Sequence, residues 1–196
     1  MRVGTKSVLF GAHCFFIHPW FVAAAWWKLF GFPWDPRLWV AFAVHDIGYW
    51  GKPNMDGPEG EQHPRTGATI MHRLFGHEWW RFVMYHSRFL AKQNNEKPPQ
   101  LCIADKLAIC LTPAWLYIPM TNLTGEIHEY MRMSAKKEGD SPGKYASMHI
   151  GSESQLLWYN SMRTYVRKWV EEHKDGREDT WTPNQKEARD EHGVWK

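Results

Sequence analysis

Trp39-Val40-Ala41-Phe42-Ala43-Val44-His45-Asp46-Ile47-Gly48 is an apolar run that ends on a histidine and an aspartate side by side. A carboxylate at the end of a buried helix is costly unless something compensates it. Neutral imidazole and carboxylate are ordinary ligands for first-row divalent metals, so a bound ion is the natural compensation. A His-Asp dipeptide by itself proves little. It marks a site only if the rest of the chain supplies partners.

Outward from this stretch, Gly and Pro punctuate segments of helical periodicity, and no alternating strand pattern is evident. The expectation is an all-α fold. Pro19 suits the first turn of a helix over 18–30, and Asp35-Pro36 caps a helix that runs to the His-Asp pair. Residues 49–62 are rich in turn residues and long for a plain connection, so the loop is expected to lie over a site. Further helices are predicted over 63–75, 78–91, 99–111, 124–137 and 153–173, with an exposed link over 138–143. Residues 1–173 read as one helical domain and 174–196 as a polar, loosely held tail.

Composition narrows the function classes. The 196 residues carry a formal charge of 24 − 21 = +3 with no dense Lys/Arg run. That is far from a nucleic-acid binder's footprint and mildly favours a small anionic substrate. Thirteen tryptophans promise a core of large aromatic slabs. Cys14, Cys102 and Cys110 lie apart among apolar neighbours and read as reduced core thiols of a cytoplasmic protein. The uncharged run Ser7 to Trp27 is long enough to span a bilayer, yet His13, His18 and Pro19 fall near its middle, so no membrane segment is expected. No secretory signal is evident either.

The polar residues on apolar helix faces carry the chemistry. His18 lines up with Val22 and Trp26, His63 with Gly67, Ile70 and Leu74, and His86 with Trp79, Phe82 and Val83. Asp105 is flanked at helical spacing by Leu101, Cys102, Ala108 and Ile109. One inward histidine is usually a hydrogen-bonded core residue. Four inward histidines and two inward aspartates are hard to bury unpaired, and a metal would satisfy them all. His72 falls half a turn from His63 and reads as exposed, as do His77, His128, His173 and His192. His13 reads as a core residue close to His18, and His149 as a residue that could approach the site from the C-terminal half.

The order His18, His45-Asp46, His63, His86, Asp105, with the strings HDIGYWGK, HPRTGATI, YHS and IADKLA, resembles the HD-domain superfamily of metal-dependent phosphohydrolases. The resemblance spans about Cys14 to Leu111. It implies a compact helical bundle in which His18, His45, Asp46 and Asp105 hold one metal. His63 and His86 would hold a second, with Asp46 bridging both. Two divalent or mixed-valent ions are implied, with Fe, Mn, Co, Ni and Zn all compatible. The implied reaction is hydrolysis of a phosphorylated small molecule, a nucleotide being the expected class, by a metal-acidified water. Asp46, Lys52 and Lys106 are the candidate catalytic residues, and Lys52, Asn54, Arg65, Arg88 and Trp50 the candidate substrate contacts. Asp56 and Glu61 could orient a water or a base, and Tyr49 could stack on a base. The chain lacks the GYP triplet of the cyclic-dinucleotide branch, and the lysine that many relatives carry directly after HDIG is displaced to Lys52, with Tyr49 in its place. The same ligands also resemble the di-iron oxygenases of the superfamily, such as myo-inositol oxygenase. A non-enzymatic helical metal-binding module and an oligomeric state both stay open.

Overall fold

The computed structural model describes residues 1–135 and 154–182, which contain ten α-helices and no strand. These are α1 (Val3–Phe10), α2 (His18–Phe30), α3 (Pro36–Val44), α4 (Pro64–Phe75), α5 (His77–Met84), α6 (Arg88–Gln93), α7 (Gln100–Leu111), α8 (Ala114–Thr124), α9 (Glu126–Ala135) and α10 (Gln155–His173). Short 3-10 turns, Ile47–Tyr49 and Gly60–Gln62, bracket the loop between α3 and α4.

Helix α7 is the centre of the packing. Eight of its twelve residues are buried, among them Leu101, Cys102, Ala104 and Ala108. Small side chains at Ala104 and Ala108 let neighbouring helices come close, and α7 packs against α2, α5 and α10. Around it lie Val22, Ala25 and Trp26 from α2, Phe42 from α3, Met71 from α4, Val83 from α5, and Tyr159 and Trp169 from α10. Burying a large side chain of this kind contributes roughly 1.5–3 kcal/mol. Cys14, Cys102 and Cys110 are free, buried thiols, and burial pushes Cys102 up to about 12.

Local chemistry sets the helix ends that matter. The Asp35 carboxylate accepts from the Arg37 amide at 2.9 Å and caps α3, with Pro36 at its first position. Pro64 opens α4 in the same way. Two glycines then bring α4 against the turn that follows α3. A Cβ at Gly48 would overlap the carbonyl of His63, and one at Gly67 the carbonyl of Val44. Only glycine permits that approach.

Several expectations are corrected. The segment predicted as one helix over 78–91 is broken at Tyr85-His86-Ser87, because the Ser87 hydroxyl accepts from the Leu90 amide and starts α6 anew. Helices α1 and α8 have no counterpart among the helices expected from sequence. Among the described residues no single helix is long and apolar enough to cross a membrane, and the uncharged run Ser7 to Trp27 is divided between α1 and α2. The last helix takes Ser154 as its cap, its hydroxyl accepting from the Leu157 amide. His173, expected at the surface, is buried. Its ring stacks on Trp169 at 4.8 Å, and its Nδ1 donates to the Trp169 carbonyl. At helical spacing it continues the stripe of Val166, Trp169 and Val170, which faces the core. Residues 174–182 of the expected loose tail are held in place, because Asp179 is buried and bonds Arg88, the Trp169 indole and Thr182. The predicted link over 138–143, His149 and His192 lie outside the described residues.

Candidate metal centre

Five of the six candidate ligands stand where a helix stops or starts, His18 as the first residue of α2. His45 closes α3 and Asp46 follows it, His63 immediately precedes α4, and His86 lies in the break between α5 and α6. At such ends a histidine ring can reach a nearby backbone carbonyl, which has a second lone pair to offer. Three of the histidines do so, each with the carbonyl three residues back. The Nδ1 of His45 lies 3.0 Å from the Phe42 carbonyl, that of His63 2.8 Å from Gly60, and that of His86 2.6 Å from Val83. A carbonyl only accepts, so Nδ1 carries a proton in all three rings and Nε2 is the atom turned inward as a ligand.

His18, on the first turn of α2, and Asp105, in the middle of α7, complete the set; all six residues are buried. The donor atoms fall into two groups that share one residue: His18, His45, Asp46 and Asp105 form the first, and Asp46, His63 and His86 the second. Asp46 divides its oxygens between them. Its Oδ2 lies 3.0 Å from His45 Nε2 and 3.4 Å from His18 Nε2, while its Oδ1 lies 3.2 Å from His86 Nε2 and 3.4 Å from His63 Nε2. Asp105 Oδ1 lies 3.0 Å from His18 Nε2 and 3.6 Å from His45 Nε2.

The donor set fits metal ions on its own chemistry. The buried Nε2 of His45 and Oδ2 of Asp46 make no hydrogen bond within the protein. The Nε2 atoms of His63 and His86 face each other at 3.0 Å although both rings already donate through Nδ1. Two lone pairs at that distance call for a proton or a cation between them. Electrostatics prepare the anions. Burial raises both carboxylates, yet His45 holds Asp46, and the Lys106 ammonium holds Asp105, well below the usual carboxylate range. Burial lowers His18 and, together with His86, depresses His63 strongly. His45 goes the other way: burial would lower it, but Asp46 and Asp105 together outweigh burial and take it to about 10. A cation at its Nε2 would answer the same negative charge that otherwise draws a proton there. The two carboxylates are charged at neutral pH, as ligands must be.

A cavity of about 140 Å³ reaches the donors at His18 and His63. Of the cations proposed from sequence, Lys106 and Arg88 line it. Lys106 Nζ lies 2.7 Å from Asp105 Oδ2. Arg88 is largely committed to the protein: it donates to Asp179 at 3.0 Å, approaches the Tyr165 hydroxyl and stacks over Trp169 at 4.3 Å. Trp50, Lys52, Asn54 and Arg65 are not among the lining residues. Trp50 is 59% exposed, and Arg65 is exposed as well. Asn54 pins its own loop, donating to Glu59 at 2.6 Å and accepting from the Gly60 amide at 2.9 Å. The loop does form a cavity wall, through Asp56 and Glu61, and Glu129 of α9 anchors it by accepting from the Met55 and Asp56 amides. Tyr49 stacks on His63 at 3.9 Å and braces that ring.

The largest omission of the sequence reading is Glu126. It is fully buried at the start of α9 and accepts from Ser7 and the Ala12 amide at 2.6 Å, Thr124 at 3.0 Å and Tyr130 at 3.3 Å. Through Ser7 it fixes His13, whose Nδ1 is 2.9 Å from that hydroxyl and whose ring lines the cavity beside His18. A glutamate at a helix start reads in sequence as an ordinary first-turn residue. No protein-family profile, curated protein or solved structure matches the chain.

Proposed function

We propose that the chain is a metal-dependent phosphohydrolase of the dinuclear kind. The observation that carries this reading is the position of Asp46, one buried carboxylate offering one oxygen to each of two donor groups. The sequence resemblance supports the same assignment. His18, His45, Asp46 and Asp105 would hold one ion and Asp46, His63 and His86 the other. Ions in such a set supply a Lewis acid for a phosphoryl oxygen and a water acidified toward neutral pH.

The chain's own residues account for the rest. Phosphoryl transfer asks a protein for positioning and charge neutralisation. Lys106 supplies a cation at the cavity wall, and its contact with Asp105 holds it beside the donors. Glu61, buried at the same wall, accepts from the Ser87 hydroxyl at 3.2 Å. A phosphoester bound with its phosphate between the donors and Lys106 would place its remainder in the cavity.

Metal analysis coupled to a screen of phosphomonoesters, phosphodiesters and nucleotides tests the proposal. Close to two equivalents of transition metal and hydrolysis lost on joint His45→Ala and Asp46→Ala substitution are expected. Product formation that requires dioxygen would replace the hydrolase with the oxygenase reading. A wild type that retains less than one equivalent of metal would remove both.

A further inference from the structure

The two ends of the cavity differ in chemistry, and the difference bears on the substrate. One end carries His18, His63 and Lys106. The other is walled by Ile109 of α7, Tyr117 of α8, Tyr130 of α9, and Trp158, Met162 and Val166 of α10. Several polar atoms at this second end are engaged within the protein. The Tyr130 hydroxyl donates to Glu126, the Trp158 indole donates to Ser134, and the Ser134 hydroxyl itself donates to the Tyr130 carbonyl. At its border Tyr165 takes a hydrogen bond from Arg88. With those atoms turned inward, Ile109, Tyr130, Trp158, Met162 and Val166 present rings and aliphatic carbon to the cavity.

A nucleoside needs partners for its base edges and sugar hydroxyls, and leaving them unpaired is expensive. An alkyl or arylalkyl group needs none, and it gains from every carbon taken out of water. We infer that this cavity takes an amphipathic phosphoester, with its phosphate at the histidine and lysine end and an apolar body between α8, α9 and α10. The inference narrows the substrate of the site proposed above and rests on that reading only for the phosphate.

Calorimetric titration of the metal-loaded protein with linear alkylphosphonates, from ethyl to octyl, tests it without turnover. Affinity should rise about three- to fourfold per methylene over the first several carbons. Adenosine monophosphate and inorganic phosphate should bind more weakly than octylphosphonate. Met162→Gln should flatten the chain-length dependence while leaving ethylphosphonate affinity within about twofold. The wild-type series decides the matter even if that variant folds poorly. Affinity independent of chain length, or tighter binding of the nucleotide, overturns the inference. Chain-length dependence without hydrolysis of any phosphoester would sustain the apolar site and sink the hydrolase; hydrolysis without chain-length dependence would do the reverse.

Discussion

The two ends of the cavity are made by opposite uses of a helix. At the donor end, helix termini and breaks present His45, Asp46, His63 and His86, and carbonyls three residues back orient three of the rings. At the apolar end, continuous faces of α8, α9 and α10 present Tyr117, Tyr130, Trp158 and Met162. A terminus can aim a polar atom because its backbone still has bonds to offer; a helix face has none and offers only surface. Asp105 and Lys106, in the middle of α7, are the exceptions at the donor end.

Removing the shared carboxylate should break this contrast most severely. Asp46→Asn keeps the volume but takes away the charge common to both groups. The loss of Lewis-acid stabilisation, several kcal/mol, corresponds to roughly a thousandfold or more in kcat/KM. Metal content and steady-state rates measure it, and an Asp46→Asn variant retaining both metal and rate would refute the shared role.

Metal removal comes next. Chelation should destabilise the protein, since the donors are left buried without their cation. With metal at about a thousandfold over Kd, binding contributes about 4 kcal/mol, or roughly 8–16 °C in Tm for a chain of this size. A thermal midpoint unmoved by chelator would show that the donors are satisfied without metal.

Lys106→Met tests whether the donor end needs its own cation. A charge-assisted hydrogen bond is worth about 1.5–3 kcal/mol, so a ten- to hundredfold drop in kcat/KM is expected. The loss should be of similar size for short and long phosphoesters if Lys106 serves the phosphate alone.

Asp179 connects the far side of the cavity to Arg88. Burial raises its carboxyl, but the Arg88 guanidinium and hydrogen bonds take it down to about 2. A depressed carboxylate gives stability that is fully present above its unfolded value near 3.9 and is lost as pH falls through the folded value. Asp179→Asn should thus cost about 2 kcal/mol at pH 7, with the deficit shrinking between about pH 4 and pH 2 in urea melts. A deficit that persists at the acid end would point to lost packing rather than lost charge.

The smallest effects belong to Lys52→Ala and Arg65→Ala, which lie off the cavity wall. Stability should change by less than about 0.5 kcal/mol and rates by less than about twofold. A large rate loss at Lys52 would show that the 49–62 loop rearranges over the substrate.

Much of the donor end was legible in the chain itself. His18, His45, Asp46, His63, His86 and Asp105 stand out because an ionisable residue among apolar neighbours is rare without a reason. The family resemblance implied the grouping into which the geometry brings them. The caps at Asp35 and Pro36 were equally readable, being local interactions. What escaped was non-local. The break at Tyr85-His86-Ser87 depends on a serine hydroxyl that a helix would also accept at its surface. Glu126 and Asp179 look like ordinary surface acids until Ser7, Ala12 and Arg88 are brought to them from up to 119 residues away.

By itself, then, the sequence determined the helical class, the helix ends near the His-Asp pair and the identity of the six donors. Each follows from periodicity, capping or the cost of burying charge, and those act within a few residues. Only the tertiary structure decided that Asp46 faces both groups, that Lys106 and not Lys52 lines the cavity, and that the faces of α8 to α10 wall an apolar chamber rather than only core. Those outcomes depend on which helices meet, and an apolar helix face reads the same whether it covers a neighbour or a space.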